Sequence, residues 1–160
     1  MASPASISKH PIHPMLVALP IGLWIFSLAS DVIYAMGWGG ATWKETALYT
    51  MAGGIVGALF AAVPGLIDLL SITNSKVKKI GIWHMSLNLV AVALYAINFW
   101  CRYSASVSAG TTIWLSVIGL ALLGITGWLG GEMVYVHGMA VEPQPSVERS
   151  TERGTPRRAA

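Results

Sequence analysis

The sequence predicts an all-α integral membrane protein, a bundle of four transmembrane helices in up-down order, and three observations carry that prediction. Hydrophobic residues make up 54% of the 160-residue chain and charged residues 11%, where a soluble domain carries about 25% charged. Four apolar stretches each reach the roughly 20 residues that a helix needs to cross a bilayer. The basic residues, finally, are sorted to one side of those stretches. A chain so composed cannot cover a water-facing surface with polar groups, and its length allows one domain of modest size.

The first span is expected at Pro14–Met36. Lys9, the apolar run and Ser27-Leu28-Ala29 resemble a signal peptide with its cleavage site. The run continues through Val32, Ile33 and Tyr34, however, and opens on two His-Pro pairs, so it reads as a retained span closed by Gly37-Trp38-Gly39-Gly40. The second span, Thr46–Ser71, ends in the polar Thr73-Asn74-Ser75 and the basic Lys76, Lys78 and Lys79. The third, Ile80–Tyr103, is closed by a segment rich in Ser, Ala and Gly, and the fourth covers Thr112–Val136. These spans form a domain over 1–141. Residues 142–160 are rich in Glu, Pro, Ser, Arg and Thr, which cannot bury a core, and are expected to be a disordered basic tail.

Orientation follows from lysine and arginine near the span ends. Lys9, the three loop lysines, Arg149, Arg153, Arg157 and Arg158 lie on one side, and only Lys44 and Arg102 on the other. That bias places both termini in the cytoplasm. Trp38, Trp43, Trp100 and Trp114 then form an outer aromatic belt, and Trp83 and Trp128 an inner one. No basic stripe alternates with exposed aromatics, so nucleic acid is excluded as a partner. The partners expected here are the lipid bilayer and a second copy of the chain.

The single cysteine, Cys101, excludes an internal disulfide and every cysteine-rich metal site. Gly54, Gly57, Ala58, Ala61 and Gly65 give the second span a face for close helix contact. The denser glycines of the fourth, Gly119, Gly124, Gly127, Gly130 and Gly131 with Ala121, suggest room for a flat cofactor. His84, Asn88, Tyr95, Asn98 and Arg102 recur at helical spacing and must face the bundle interior. Asp31 and Arg102, each near the same end of its span, are expected to pair.

The opposite end collects the histidines. His10 and His13 each precede a proline, which favours extended geometry with both imidazoles on one face. Asp68, His84 and Glu132 are expected at similar depth inside that end, with His10, His13 and His137 as a rim. Four imidazoles and two carboxylates at one mouth suggest a metal centre. Imidazole suits haem iron, copper and zinc, and the mixture with carboxylates suits non-haem iron.

His10-Pro-Ile-His13-Pro-Met-Leu-Val, then Pro20-Ile-Gly-Leu-Trp24 with Asp31, resembles the start of a bacterial membrane family catalogued as domain of unknown function 2231. Val63-Pro-Gly-Leu-Ile-Asp68, His84 with Asn88, and Gly127-Trp-Leu-Gly-Gly-Glu132 through Tyr135 and His137-Gly138 are similar to its later motifs. The resemblance runs from about Lys9 to Val141. Some members look fused to a Rieske-type iron–sulfur domain, which implies redox company for the fold. This chain carries no such domain after Val141, so its electron partner is expected to be a separate protein.

The leading expectation is therefore a small membrane redox module with one metal centre, haem b held by His84 and one rim histidine (His13, His137 or His10). Asp68 and Glu132 would orient the imidazoles. The alternatives are a non-haem iron, copper or zinc site in a transporter or metal-handling protein, with Asp68 and Glu132 as direct ligands, and a cofactor-free structural or assembly subunit. Hydrolytic motifs are lacking: there is no phosphate-binding glycine loop and no His-Glu-x-x-His.

Overall fold

The computed structural model describes residues 3–141; the expected 142–160 tail lies outside them. Four helices carry the fold: α1 Ile12–Ala35, α2 Ala41–Ser71, α3 Ser75–Tyr103 and α4 Ala109–Gly131, the last running on into a π-helical turn over Glu132–Val136. Each is long and apolar enough to cross a membrane. Helix is what such sequences must adopt there, because lipid offers no partner to a free N–H or C=O. The 24 residues of α1 rise about 36 Å, against a hydrocarbon core of about 30 Å.

All four helices begin earlier than hydropathy suggests, and for α3 and α4 a side-chain cap sets the start. α3 opens at Ser75 rather than Ile80 because the Asn74 side chain accepts from the backbone N–H of Lys76 at 3.0 Å and of Val77 at 3.2 Å. The three lysines thus lie within its first turns. Ser108 caps α4 in the same way through Thr111 N–H at 3.2 Å. Between α1 and α2, Gly37, Gly39 and Gly40 take φ of +78°, +73° and +68°, which only glycine adopts freely.

The His-Pro-Ile-His-Pro segment corrects one expectation. It is not a polyproline run with both imidazoles on one face. Ser6–Ile7 and His10–Pro11 pair as a two-stranded antiparallel hairpin around Ser8 and Lys9, both at positive φ, and α1 starts at once with Ile12. His10 therefore belongs to a strand and His13 to the first turn of a helix.

α1 packs chiefly on α2 and α3 on α4, while α2 with α3 and α1 with α4 close the ring. That leaves α1 and α3 on one diagonal. The two helical hairpins are repeats of one another, which the side-chain hydrogen bonds reveal. His13 Nδ1 lies 2.8 Å from Ala61 O, and His84 Nδ1 lies 2.9 Å from Thr126 O. Trp24 Nε1 donates to Met51 O at 3.2 Å, and Tyr95 Oη to Ser116 O at 3.3 Å. Ser27 Oγ donates to Ala47 O at 2.7 Å, and Asn98 Nδ2 to Thr112 O at 2.9 Å. In every case the α3 residue follows its α1 counterpart by 71 positions and the α4 carbonyl follows its α2 counterpart by 65. The glycines obey the same register. A Cβ on Gly54 would collide with the Trp24 ring, and one on Gly119 would stand 2.6 Å from the Tyr95 ring.

α1 and α3 run in the same direction, so the repeats are parallel and related by an axis along the bundle, a plan familiar among membrane proteins built from internal repeats. Three rungs cross that axis: Asp31 with Arg102, Trp24 stacked on Tyr95 at 4.0 Å between ring centres, and His13 against His84. Their spacings along α1, seven and eleven residues, are two and three helical turns, which keeps all three on one face.

The interior is small and notably polar. Ser27, Ser30, Asp31, Asn98, Thr112, Ser116 and Thr126 are buried beside Trp24, Met51 and Tyr95. The outside is apolar, with Leu59, Phe60, Val63, Leu70 and Ile97 exposed. Small polar residues between helices and large apolar ones outside are the packing expected in lipid. Trp38, Trp100 and Trp114 stand exposed near the Arg102 end and Trp83 and Trp128 near the histidine end, while Trp43, expected in the same belt as Trp38, is half-buried against Phe26.

Candidate metal centre

Of the six expected site residues, the fold brings two imidazoles together, one from each repeat. The His13 and His84 ring centres are 6.3 Å apart and the rings nearly perpendicular at 87°. Each is half-buried and held by the helix it packs against. Gly65 makes room for His13: a Cβ there would stand 2.8 Å from its Cε1 and Nδ1. Gly130 does the same for His84, where a Cβ would stand 3.2 Å from Cε1.

The hydrogen bonds select the tautomer. A carbonyl only accepts, so the bonds to Ala61 O and Thr126 O require a proton on Nδ1 of both rings. In the neutral imidazole Nε2 then carries the lone pair. Asn88 agrees with this at His84: its amide nitrogen donates to the His84 carbonyl at 2.8 Å and lies 3.2 Å from His84 Nε2. Nδ1–H on a backbone carbonyl with Nε2 left as the donor atom is how proteins orient metal-binding histidines. Two such imidazoles on facing helices would together supply two nitrogen donors to one ion.

The other four residues are placed elsewhere, which corrects the expected single cluster. His10 is exposed, its Nδ1 2.8 Å from Ser8 O within its own turn. Asp68 is buried, but its Oδ1 accepts from Ser3 Oγ at 2.6 Å and from Ala5 N–H at 3.3 Å. It anchors the N-terminal hairpin in place of orienting an imidazole. Glu132 and His137 face one another across the π-helical turn at 4.0 Å, too long for a hydrogen bond, and His137 Nε2 is buried without a partner. The shared depth expected for Asp68, His84 and Glu132 does not bring them together. Among the described residues no three His, Cys, Asp or Glu side chains form a set able to hold a metal ion.

The glycines of α4 also differ from expectation. Gly119 and Gly130 are filled by Tyr95 and His84, and Gly124 and Gly127 lie exposed on the outside. The glycines thus admit side chains of α3. Sequence reasoning placed His84, Asn88, Tyr95, Asn98 and Arg102 on one stripe but missed that His13, Trp24, Ser27 and Asp31 repeat its spacing on α1. That repeated spacing is the signal that selects His13 from the three rim histidines.

Residues 9–143 match the model of a family described as "Predicted membrane protein (DUF2231)". That is most of the chain, and the protein belongs to this family. No curated protein and no solved structure matches it.

Proposed function

We propose that this member of the DUF2231 family is a small membrane redox module whose one metal centre is held by His13 and His84. The observation that carries this reading is the crossed imidazole pair, each ring tied through Nδ1–H to its own hairpin and keeping Nε2 as a ligand atom. Trp24 and Tyr95 use the same device one rung away, but each uses its only polar group on the carbonyl. The histidines have a second nitrogen to offer.

The count of donors favours haem b over a bare ion, although Tyr95 and His84 fill the α4 glycine gap expected to admit the ring. A structural or catalytic zinc site takes three or four protein ligands, and non-haem iron a two-histidine, one-carboxylate set. Haem b brings four nitrogens of its own and asks the protein for two. Bound there, it would supply one-electron transfer, exchanged with a separate redox protein. The protein's part is to hold both rings in one tautomer, to pin them by glycine-facing packing, and to surround them with apolar helix. Asn88 is the group that must yield the His84 lone pair on loading.

The optical spectrum and metal content of the purified chain, expressed with ample iron and haem, test this. A Soret band with one iron per chain is expected; copper at one per chain would keep the histidine pair but replace the haem. Neither metal at stoichiometric level would end the redox reading.

We also propose that the histidine end faces the cytoplasm of a bacterial inner membrane, on the strength of the basic residues gathered there. A reporter fused after Val141 is expected to be active only inside the cell. Activity on the periplasmic side would reverse the placement of the site.

A further inference from the structure

The two repeats differ at the start of their first helices. α3 opens at Ser75, whereas α1 opens at Ile12, the register of Trp83. The segment before α1 is the N-terminal hairpin, fixed to Asp68 through Ser3 and Ala5. Ala5, at the register of Lys76, is buried, while Lys76 is exposed. The second repeat has helix instead, and an open groove of about 470 Å³ lies between the start of α3 and the end of α4.

The lining is ordered along α3. Lys76 and Lys79 lie in the first turns of α3, and Ile80, Trp83 and Leu87 continue along the same side of the helix, with Leu129 of α4 also on the lining. Both lysines are exposed, and among the described residues neither is in an ion pair. The acid on the lining, Glu132, has its Oε1 4.0 Å from His137 Nε2. From Lys76 to Leu87 a helix rises about 16 Å, which is roughly half the thickness of the hydrocarbon core. The groove is thus cationic at the membrane surface and apolar through the depth of one leaflet.

We propose that this groove is a binding site for one anionic phospholipid, its phosphate held by Lys76 and Lys79 and an acyl chain laid along Ile80, Trp83, Leu87 and Leu129. Basic pockets between transmembrane helices recognise lipid headgroups in this way. The inference is independent of the metal centre.

Native mass spectrometry of the full chain, released from bilayers of phosphatidylglycerol and phosphatidylcholine with identical acyl chains, reads the site directly. Wild type is expected to retain phosphatidylglycerol over phosphatidylcholine by on the order of tenfold. Lys76→Gln with Lys79→Gln should abolish that preference, and Lys78→Gln, outside the lining, should leave it. Leu87→Trp fills the apolar floor and should lower retention with both lysines intact. Melting followed by circular dichroism establishes that each variant is folded; Lys76 and Lys79 are exposed, so their exchange is not expected to shift it. Equal retention of the two lipids by wild type, or a preference that survives the double variant, overturns the proposal. Retention unchanged in Leu87→Trp also overturns it, since charge alone would then suffice without a groove.

Discussion

His13→Ala and His84→Ala are each expected to abolish binding at the proposed metal centre, and to the same extent, while His10→Ala leaves it intact. The equality is the informative part. His13 and His84 occupy one register of two repeats, with matching carbonyl contacts at 2.8 and 2.9 Å and a matching glycine under each ring. Losing either should cost more than the roughly 10–100-fold in affinity that loss of an outer partner costs. His137→Ala should change little, because its Nε2 lies beside Glu132 at the π-helical turn. His13→Gln and His84→Gln keep most of the side-chain volume and separate lost ligation from lost packing. The readout is Soret intensity and iron per chain, beside a melting curve. An iron content that falls with His137→Ala and stands with His13→Ala would place the centre off the axis.

Much of the fold is legible in the sequence because lipid imposes one strong rule. The four spans follow from apolar length, and the Asp31–Arg102 pair from two charges at the same edge, since neither would be stable alone in hydrocarbon. Glycine spacing on the second span likewise implies close contact. These readings need only the sequence of each span.

The site is less legible because it depends on which helices face each other. The spans alone put all the histidines at one end, but rotation about each helix decides which imidazoles meet. His137 is carried round by the π-helical turn over Glu132–Val136, a local unwinding that hydropathy does not report. Asp68 is taken by Ser3 and Ala5, residues that an apolar-span reading passes over. The repeat was available in principle. His13, Trp24, Ser27 and Asp31 share their spacing with His84, Tyr95, Asn98 and Arg102, yet no side chain is kept except histidine. Such a repeat is visible only once the role of each position, a ring or a small polar group donating to the next helix, is known.

Asp31→Asn is expected to be the most destabilising single exchange at the Arg102 end of the bundle, by about 3–5 kcal/mol, the usual cost of leaving one partner of a buried pair uncompensated. Arg102 meets Asp31 through both terminal nitrogens, at 2.5 and 2.6 Å, with side chains only 10% and 7% exposed. The pair spans the diagonal between hairpins that otherwise meet mainly through α2 with α3 and α1 with α4. Adding Arg102→Gln to Asp31→Asn should recover part of the loss, and strict additivity of the two exchanges would show that they do not interact. The exchange of places, Asp31→Arg with Arg102→Asp, tests something finer. Arg102 is also supported by its own hairpin: Nε donates to Asn98 Oδ1 at 3.1 Å, and Nη2 to Ser116 Oγ at 3.2 Å and Thr112 O at 3.3 Å. At the matching registers the first hairpin carries Ser27, Met51 and Ala47, so an arginine at position 31 would find the short Ser27 hydroxyl in place of the Asn98 amide and no acceptor in place of Ser116. The swapped protein should therefore melt above either single variant and below wild type. Full recovery would mean that only the charge pair matters and that the second hairpin's polar cluster contributes nothing to holding the arginine.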